Sequence, residues 1–441
     1  MRTFKHLLLL RQKNIPGQLV IQLTDKCNAL CPQCGMRSTE SYQRSKLSLN
    51  DVKRILEAAA QNGVTAVSFT GGEPFLFFDE LLQLMTYAGQ MGIEYIRTGT
   101  NGFFFRNPSG SNFGSKVKTI AEKLAKTPIR NFWISIDSSV PEIHERMRGF
   151  PGVLKGIEKS LPIFHEFGIY PSVNLGINRN MAPNIIGMEA FKNEIGEDFI
   201  QEIFNNYRAA FRIFFGFIIN MGFTMVNMCY PMSIISETEK SVLRPVYAAT
   251  SPSNIVRFDT TEKRLIFSAL LKTVKEFRSK IRIFTPLSSL YALAMQLIMG
   301  PTAAYPCRGG IDFFFIDSRD GNTYPCGYRG NENFGKYWNI DWDKIHSNGN
   351  CVMCDWECFR DPSELFGPML QCVSKPLGLI KKAKNDPQYF RLWWDDLKYY
   401  RACDFFNGRR APNYKRLRHY DLLSKNHEIQ TLDIKNLIDT I

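Results

Sequence analysis

Three cysteines lie close together in the stretch Thr24-Asp25-Lys26-Cys27-Asn28-Ala29-Leu30-Cys31-Pro32-Gln33-Cys34. The cysteines have the spacing CxxxCxxC. The loop that contains them directly follows residues 19–23, an apolar run that predicts a β-strand. A short loop can turn three thiolates towards one point, and clustered thiolates select zinc or iron–sulfur clusters. A structural zinc or a closed cluster needs four protein ligands, so three sulfurs predict a cluster with one open iron. A zinc site completed by a distant cysteine is the alternative.

A second motif, Thr70-Gly71-Gly72-Glu73-Pro74, follows the strand-like run of residues 67–69. Together the two motifs resemble the radical S-adenosylmethionine (radical SAM) superfamily, whose signature is this cysteine spacing after the first barrel strand. The resemblance implies that Cys27, Cys31 and Cys34 hold a [4Fe–4S] cluster and that SAM chelates its open iron. Members of this superfamily cleave SAM to a 5′-deoxyadenosyl radical, which abstracts hydrogen from a substrate.

Other polar residues also fall where predicted strands end. Residues 135–149 resemble the fourth-strand region of the subgroup that carries additional clusters, with groups near the SAM ribose and the substrate. Ordinary loop capping by Asn, Asp and Ser is the alternative interpretation. Gln33 departs from the family, in which this position is usually aromatic and contacts adenine, so no stacking on adenine is expected. The resemblance assigns cofactor binding to six residues: Gly71, Gly72, Glu73, Ser135, Asp137 and Asn178.

The composition indicates a folded protein of about two domains. The chain has 441 residues, of which 44% are hydrophobic, 13% are aromatic and 11 are cysteine. Cysteines in metal-ligand spacings within a chain of this size predict a reducing, cytoplasmic location. The N-terminal leucine run is too short for a signal peptide. Arg212 and Asn220 interrupt the apolar stretch of residues 211–228, which therefore predicts a buried helix leading into a sixth strand at residues 224–228 rather than a membrane span. A net charge of +13 favours an acidic partner or substrate without selecting one.

Strand-like and helix-like segments alternate from residue 16 to residue 300, which predicts the α/β class. We expect a partial (β/α)6 barrel of the TIM type, because every motif above follows a strand and sites form at that edge. A cysteine-rich cluster-binding domain of a β-hairpin and helices should follow, and then a basic, aromatic, helical extension. The predicted divisions are residues 1–15, 16–300, 301–375 and 376–441.

A second set of cysteines begins after residue 306. The turn Asp320-Gly321-Asn322 between two apolar runs predicts a β-hairpin that brings Cys307 near Cys326. The segment resembles the SPASM extension, or its shorter relative twitch, although its later cysteines depart from the full SPASM spacing. The resemblance implies an auxiliary [4Fe–4S] cluster, and structural zinc is the alternative. The predicted metal ligands here are Cys307, Cys326, Cys351, Cys354 and Cys358, and a second auxiliary cluster would use Cys358, Cys372 and Cys403.

These features predict a radical SAM oxidoreductase or transferase with no assigned catalytic residue. Cys229, at the end of the predicted sixth strand, is a hydrogen-atom donor, a substrate contact or an inert core thiol. The expected partners are a flavodoxin-like or ferredoxin-like electron donor and an anionic or amphiphilic substrate. A small molecule, sugar or lipid is favoured, because the barrel begins too near residue 1 for a leader-peptide domain. The alternatives are a peptide-modifying maturase and, from a different class, a non-catalytic zinc protein that binds nucleic acid.

Overall fold

The strands of the protein form one mostly parallel sheet. A computed structural model describes residue 10 and residues 14–35, 43–183, 185, 197–231, 243–246, 253–342 and 351–425. Most of the predicted N-terminal extension and the last part of the C-terminal extension lie outside these residues. The strands are β1 (Gly17–Thr24), β2 (Val64–Gly71), β3 (Tyr95–Thr100), β4 (Ile129–Ser135), β5 (Ser172–Gly176), β6 (Met225–Cys229), β7 (Arg282–Ile283), β8 (Phe313–Ile316) and β9 (Thr323–Tyr324).

Strands β1 to β6 lie side by side in chain order, and each pair is parallel. The complete order is β7-β6-β5-β4-β3-β2-β1-β8-β9. Parallel neighbours need a crossover, and helices of the chain supply it. The helices are α1 (Leu49–Gln61), α2 (Phe78–Gln90), α3 (Phe113–Ala125), α4 (Pro141–Arg148), α5 (Val153–Glu166), α6 (Glu197–Asn220), α7 (Thr260–Phe277), α8 (Leu287–Met299), α9 (Glu357–Ser374), α10 (Pro376–Asn385), α11 (Pro387–Ala402) and α12 (Tyr414–Lys425). This architecture confirms the predicted α/β class and the partial TIM-type barrel.

The two faces of the sheet differ in chemistry. One face carries apolar side chains such as Ile21, Phe69 and Ile134, which are buried in the main hydrophobic core. Because side chains alternate along a strand, the residues between them point to the other face, which is the interior of the barrel. That interior is polar: Asn131 donates to Ser172, and Asn227 donates to Asn174. Ligand chemistry is therefore concentrated inside the barrel.

The cysteine-rich segment continues the same sheet. Strand β8 pairs in parallel with β1, and β9 closes an antiparallel hairpin with β8, as the Asp-Gly turn predicts. The sheet thus crosses the predicted boundary at residue 300. The domain divisions remain a prediction, since the strand pairing describes contacts and does not test independent folding.

The C-terminal extension covers the end of the barrel opposite the cysteine loop. Gly408 donates its N–H to Arg130 O, Tyr170 donates to Gly408 O, and Arg282 donates to Asn407 O. These contacts lie at or near the beginnings of β4, β5 and β7. None of the described helices combines the length and apolar composition that a membrane span requires.

Candidate functional site

The cysteine loop leaves the carboxyl end of β1 and packs directly on the second motif. Gly72 N–H donates to Thr24 O at 2.7 Å, and Glu73 N–H donates to Lys26 O at 2.8 Å. A Cβ atom on Gly71 would lie 2.1 Å from Thr24 O, and one on Gly72 would lie 2.2 Å from Lys26 O. The structure shows that these glycines make room for the backbone of the cysteine loop, and their contact with SAM remains a prediction.

The three thiols of this loop have polar neighbours suited to sulfur ligands. Cys27 Sγ lies 3.5 Å from Ala29 N and 3.6 Å from Asn101 Nδ2. Burial raises the pKa of Cys31 to about 12, and the positive charge of Arg148 opposes this shift. A protonated thiol is a poor ligand, so metal binding would have to displace the proton. Three thiols, with N–H donors at Cys27 and the charge of Arg148 nearby, form a donor set that fits a thiolate-bound iron–sulfur cluster.

Arg148 connects this loop to the end of β4. Its Nε lies 2.7 Å from Asp137 Oδ2, its Nη2 lies 2.9 Å from Oδ1, and its carbonyl oxygen accepts from Leu30 N–H. Both charged side chains are almost completely buried. Burial opposes the charge of Arg148, but Asp137 and the thiols outweigh it and raise the pKa of Arg148. The sequence offered Arg148 only as part of a matching region, and its role became visible from this contact.

Glu73 joins the second motif to the end of β3. Its Oε1 accepts from Phe75 N–H at 3.0 Å, and its Oε2 accepts from Asn101 N–H at 2.6 Å. Asn101 in turn donates to Asn28 Oδ1 at 2.9 Å, so the cysteine loop, β2 and β3 are connected. Burial raises the pKa of Glu73 to about 7. Sequence reasoning recorded Asn101 only as the end of a strand, because its contact with the cysteine loop is tertiary.

The remaining predicted SAM-site residues lie at neighbouring strand ends. Ser135 is opposite Asn174 in the β4–β5 register. Asn178 Nδ2 donates to Asp137 O at 2.9 Å and to Gly176 O at 2.7 Å. The Asp137 carboxylate is engaged by Arg148, so its role towards SAM remains a prediction. Gln33 Oε1 is buried and has no hydrogen-bond partner among the described residues, which leaves an acceptor beside the third cysteine.

Four cysteines of the second set line one small cavity. Cys307 Sγ lies 3.4 Å from Gly309 N, and Cys326 Sγ lies 3.3 Å from Tyr328 N. Burial raises the pKa of Cys326 to about 12. Four thiols with N–H donors, shielded by aromatic rings, fit a cluster with four sulfur ligands. The lining residues include Cys307, Cys326, Cys351, Cys354, Arg329, Trp356 and Phe359.

Cys358 is not among the residues that line this cavity. Its Sγ lies 3.5 Å from Glu357 Oε1, at the first turn of α9. Its charge and that of Glu357 both affect the pKa of Cys229, so these three side chains form a separate group at the barrel mouth. Cys358 packs against the same apolar cluster as Cys351 and Cys354, and its role as a cluster ligand remains a prediction.

The structure does not support a second auxiliary cluster of Cys358, Cys372 and Cys403. Cys358 and Cys372 are 14 residues apart on α9, which separates them by about 21 Å along the helix axis. Cys403 is buried in a different apolar cluster with Tyr399 and Phe406. The eleven cysteines, all of which lie in the described ranges, are free of disulfides. No three described Cys, His, Asp or Glu side chains converge closely enough to bind a single metal ion.

Comparison with known proteins places the first site in a family. Residues 21–178 match the model of the Radical SAM superfamily. A probable GTP 3′,8-cyclase of Thermococcus kodakarensis is 28% identical over 36% of this chain and 48% of its own length. An AdoMet-dependent heme synthase of Methanosarcina barkeri is 22% identical over 43% of this chain and 50% of its own length. The chain therefore spans about half the length of these curated relatives.

A solved structure, Streptococcus suis SuiB, shares 18% identity with a TM-score of 0.48 over 83% of this chain and 78% of that chain. The family match contains the cysteine loop, the Gly-Gly-Glu motif and the ends of β3, β4 and β5. These are the segments that the structure brings together. Residues 21–178 of this chain are therefore a radical SAM superfamily domain.

Proposed function

We propose that this chain is an enzyme that cleaves SAM reductively and uses the resulting radical to abstract hydrogen from a small polar substrate. The observation that carries the proposal is the clamping of the three-cysteine loop against the Gly-Gly-Glu motif by backbone hydrogen bonds. Three thiols held in this way leave one iron of a [4Fe–4S] cluster open to SAM. When bound, the cluster and SAM supply an electron transfer that releases methionine and a 5′-deoxyadenosyl radical.

The chain's own residues would hold and protect this chemistry. Cys27, Cys31 and Cys34 would ligate the cluster, while Ala29 N–H and Asn101 Nδ2 stabilise negative charge on Cys27. The Arg148 charge favours the thiolate form of Cys31. Gln33 Oε1 is a free acceptor for an N–H group of the cofactor. We assign the SAM-facing surface to the strand-end residues Gly71, Gly72, Glu73, Ser135, Asp137 and Asn178.

For the second cysteine set we propose one auxiliary [4Fe–4S] cluster. Its ligands would be the four cysteines that line the cavity, and Trp356 and Phe359 would exclude water from it. Exclusion of water and N–H donation to sulfur both tune the potential of a cluster. Its role would be to accept or deliver one electron near the barrel mouth. The ligand set is Cys307, Cys326, Cys351 and Cys354.

The substrate class follows from the polar interior of the barrel. Amide side chains such as Asn174 and Asn227 line the face that meets the mouth. Relatives named for a GTP cyclase and a heme synthase support a small molecule over a peptide. A zinc-bearing nucleic-acid binder does not account for a radical SAM domain. If the substrate were a peptide instead, the rate of SAM cleavage would depend on the addition of that peptide.

The partners and location follow from the redox chemistry. Reductive cleavage needs a one-electron donor of low potential, so we propose a flavodoxin or ferredoxin as partner. Free cysteines and iron–sulfur clusters persist in a reducing environment, which supports a cytoplasmic location.

The test is anaerobic reconstitution followed by SAM and dithionite. The parent protein should hold about eight irons, as two four-iron clusters require, and should release 5′-deoxyadenosine. Variants in which Cys27, Cys31 and Cys34 are all alanine should lose half the iron and all of the product. Zinc in place of iron, with no cleavage of SAM, would refute the proposal.

A further inference from the structure

Cys229 lies at the barrel mouth rather than in the apolar core. It is the last residue of β6, and its Sγ lies 3.3 Å from Asn174 Oδ1 on the neighbouring strand. Asn227, two residues earlier, donates to the same oxygen. Two residues along a strand return to the same face, so Cys229 continues the polar interior of the barrel. Cys229 is only partly buried, which leaves its thiol next to accessible space.

A buried carboxyl group lies between this thiol and a second one. Glu357 is 5% exposed; its Oε1 lies 3.5 Å from Cys358 Sγ, and the Glu357 carboxylate also interacts with Cys229. Its Oε2 is buried without a hydrogen-bond partner in the described part of the chain. A buried acceptor left unpaired is destabilising, so such an atom indicates a partner that binds there.

Asp361 provides the contrast within the same helix. It lies one turn after Glu357 on α9, and its carboxylate accepts from Ser289 Oγ at 2.6 Å and from Tyr230 Oη at 3.0 Å. Asp361 is thus fully engaged in joining α9 to α8 and the end of β6. Of these two carboxyl groups, only Glu357 has a buried oxygen without a hydrogen-bond partner in the described part of the chain.

We propose that Cys229 is the hydrogen-atom donor of this site and that Glu357 Oε2 binds a hydroxyl or amine group of the substrate. The inference rests on the proposed radical function and adds a substrate class to it. The substrate is a polar molecule with a hydrogen-bond donor close to the carbon that reacts. It loses one hydrogen atom to the adenosyl radical and regains one from Cys229, as in an epimerisation or a rearrangement without net oxidation.

The step balances in atoms and electrons. A carbon radical forms a C–H bond, the S–H bond of Cys229 breaks, and a thiyl radical remains. The thiol is restored by one electron from a low-potential one-electron donor and by one proton from water. An S–H bond is weaker than an aliphatic C–H bond, so the transfer is downhill. Desolvation, followed by the charges of Glu357 and Cys358, raises the pKa of Cys229 well above its usual value and keeps the thiol protonated.

The decisive experiment uses reconstituted enzyme with SAM and dithionite in D2O, without added substrate. The Cys229 thiol is then S–D, and the adenosyl radical should take deuterium from it. We expect most 5′-deoxyadenosine from the parent to carry one solvent deuterium, and Cys229→Ser to reduce this incorporation at least tenfold. Serine keeps a hydrogen bond to Asn174, but its O–H bond is too strong to donate a hydrogen atom. Cys372→Ser, which removes an exposed thiol on α9, is the matched control and should incorporate deuterium like the parent.

A second measurement does not require that the protein contain an iron–sulfur cluster or SAM. In the isolated chain, iodoacetamide should modify the exposed thiol of Cys372 readily. It should modify Cys229 only at a pH distinctly above that at which an ordinary thiol, with a pKa of about 8.5, reacts. Glu357→Gln should lower the pH at which Cys229 reacts, because it removes a neighbouring negative charge. Equal reactivity of Cys229 and Cys372 would overturn the inference.

The outcomes separate the two proposals. Product without deuterium in the parent, or unchanged deuterium in Cys229→Ser, overturns the role of Cys229 and leaves SAM cleavage standing. Absence of 5′-deoxyadenosine in the parent overturns both.

Discussion

The two cysteine-rich regions reach similar donor sets by different routes. The first set comes from a single loop of eight residues, Cys27 to Cys34, held by backbone bonds to the next strand end. The second set comes from three separate segments, which the β8–β9 hairpin and the approach to α9 bring around one cavity. The first region leaves a ligand position open, whereas the second supplies four sulfurs. An open position suits a reacting cofactor, and a complete ligand set suits electron transfer or structure.

The largest expected effect separates the two regions by function. Replacing Cys27, Cys31 and Cys34 with alanine should abolish 5′-deoxyadenosine, while Cys326→Ala should lose a similar share of iron and still cleave SAM. The reason is that SAM needs the open iron of the first site. Iron analysis and product chromatography on both variants test this. Loss of SAM cleavage in both would show that the regions are not separable.

The next effect concerns the buried ion pair beside the first region. Arg148→Gln leaves Asp137 buried without its counter-charge, and we expect a loss of about 3–5 kcal/mol in the free energy of unfolding. Arg410→Gln is the control, because Arg410 pairs with Asp404 at the surface and its loss should change stability by less than about 1 kcal/mol. Urea denaturation of the metal-free chains measures both. Equal effects would mean that the Asp137 pair is not buried as described.

A smaller effect compares the two buried carboxyl groups, one beside each region. Burial raises the pKa of both Glu73 and Glu357 from 4.5 to about 7. A raised folded-state pKa means that the folded chain holds the proton more tightly, so stability falls as pH rises through this interval. The fall is about 3 kcal/mol for each group. Glu357→Gln should remove the part of this pH-dependent loss of stability that comes from Glu357, since glutamine carries no charge.

Glu73→Gln should behave differently at low pH. Glu73 accepts two backbone N–H groups, and the single oxygen of glutamine serves only one of them, so this variant should be less stable than the parent by about 1–3 kcal/mol below pH 5. Glu357→Gln should match the parent there. Urea denaturation at a series of pH values measures both curves, with exposed Glu122→Gln as control. Parallel curves for all three variants would contradict the shifted pKa values.

The smallest effect concerns glycine. A Cβ on Gly72 would lie 2.2 Å from Lys26 O, whereas one on Gly309 would lie 2.8 Å from Pro325 O. Gly72→Ala should cost about 1–3 kcal/mol through overpacking and should displace the cysteine loop. Gly309→Ala should cost less. Thermal unfolding and iron retention at each site compare them, and a Gly309 variant that is the less stable of the two would reverse the ranking.

Sequence patterns predicted the first region better than the second. The loop, the Gly-Gly-Glu motif and the strands before them are local in sequence. The helix predicted from residue 211 begins earlier, at Glu197, because that prediction depended on an apolar run alone. The second region combines distant segments. Cysteine spacing alone therefore grouped Cys358 with the four cavity cysteines, and it could not reveal the contact between Cys358 and Glu357.

By itself the sequence determined the α/β class, the three-thiol loop and its resemblance to a family, because strand periodicity and ligand spacing are encoded locally. Only the tertiary structure decided that Arg148 and Asn101 support that loop, that four of the later cysteines share one cavity, and that Cys229 faces Glu357. Many of these contacts join residues far apart in the chain, for example Cys27 with Asn101, 74 positions apart, and Tyr230 with Asp361, 131 positions apart. These contacts result from the register of the parallel sheet and from the packing of α9 at the barrel mouth. No local sequence pattern predicts either of these features.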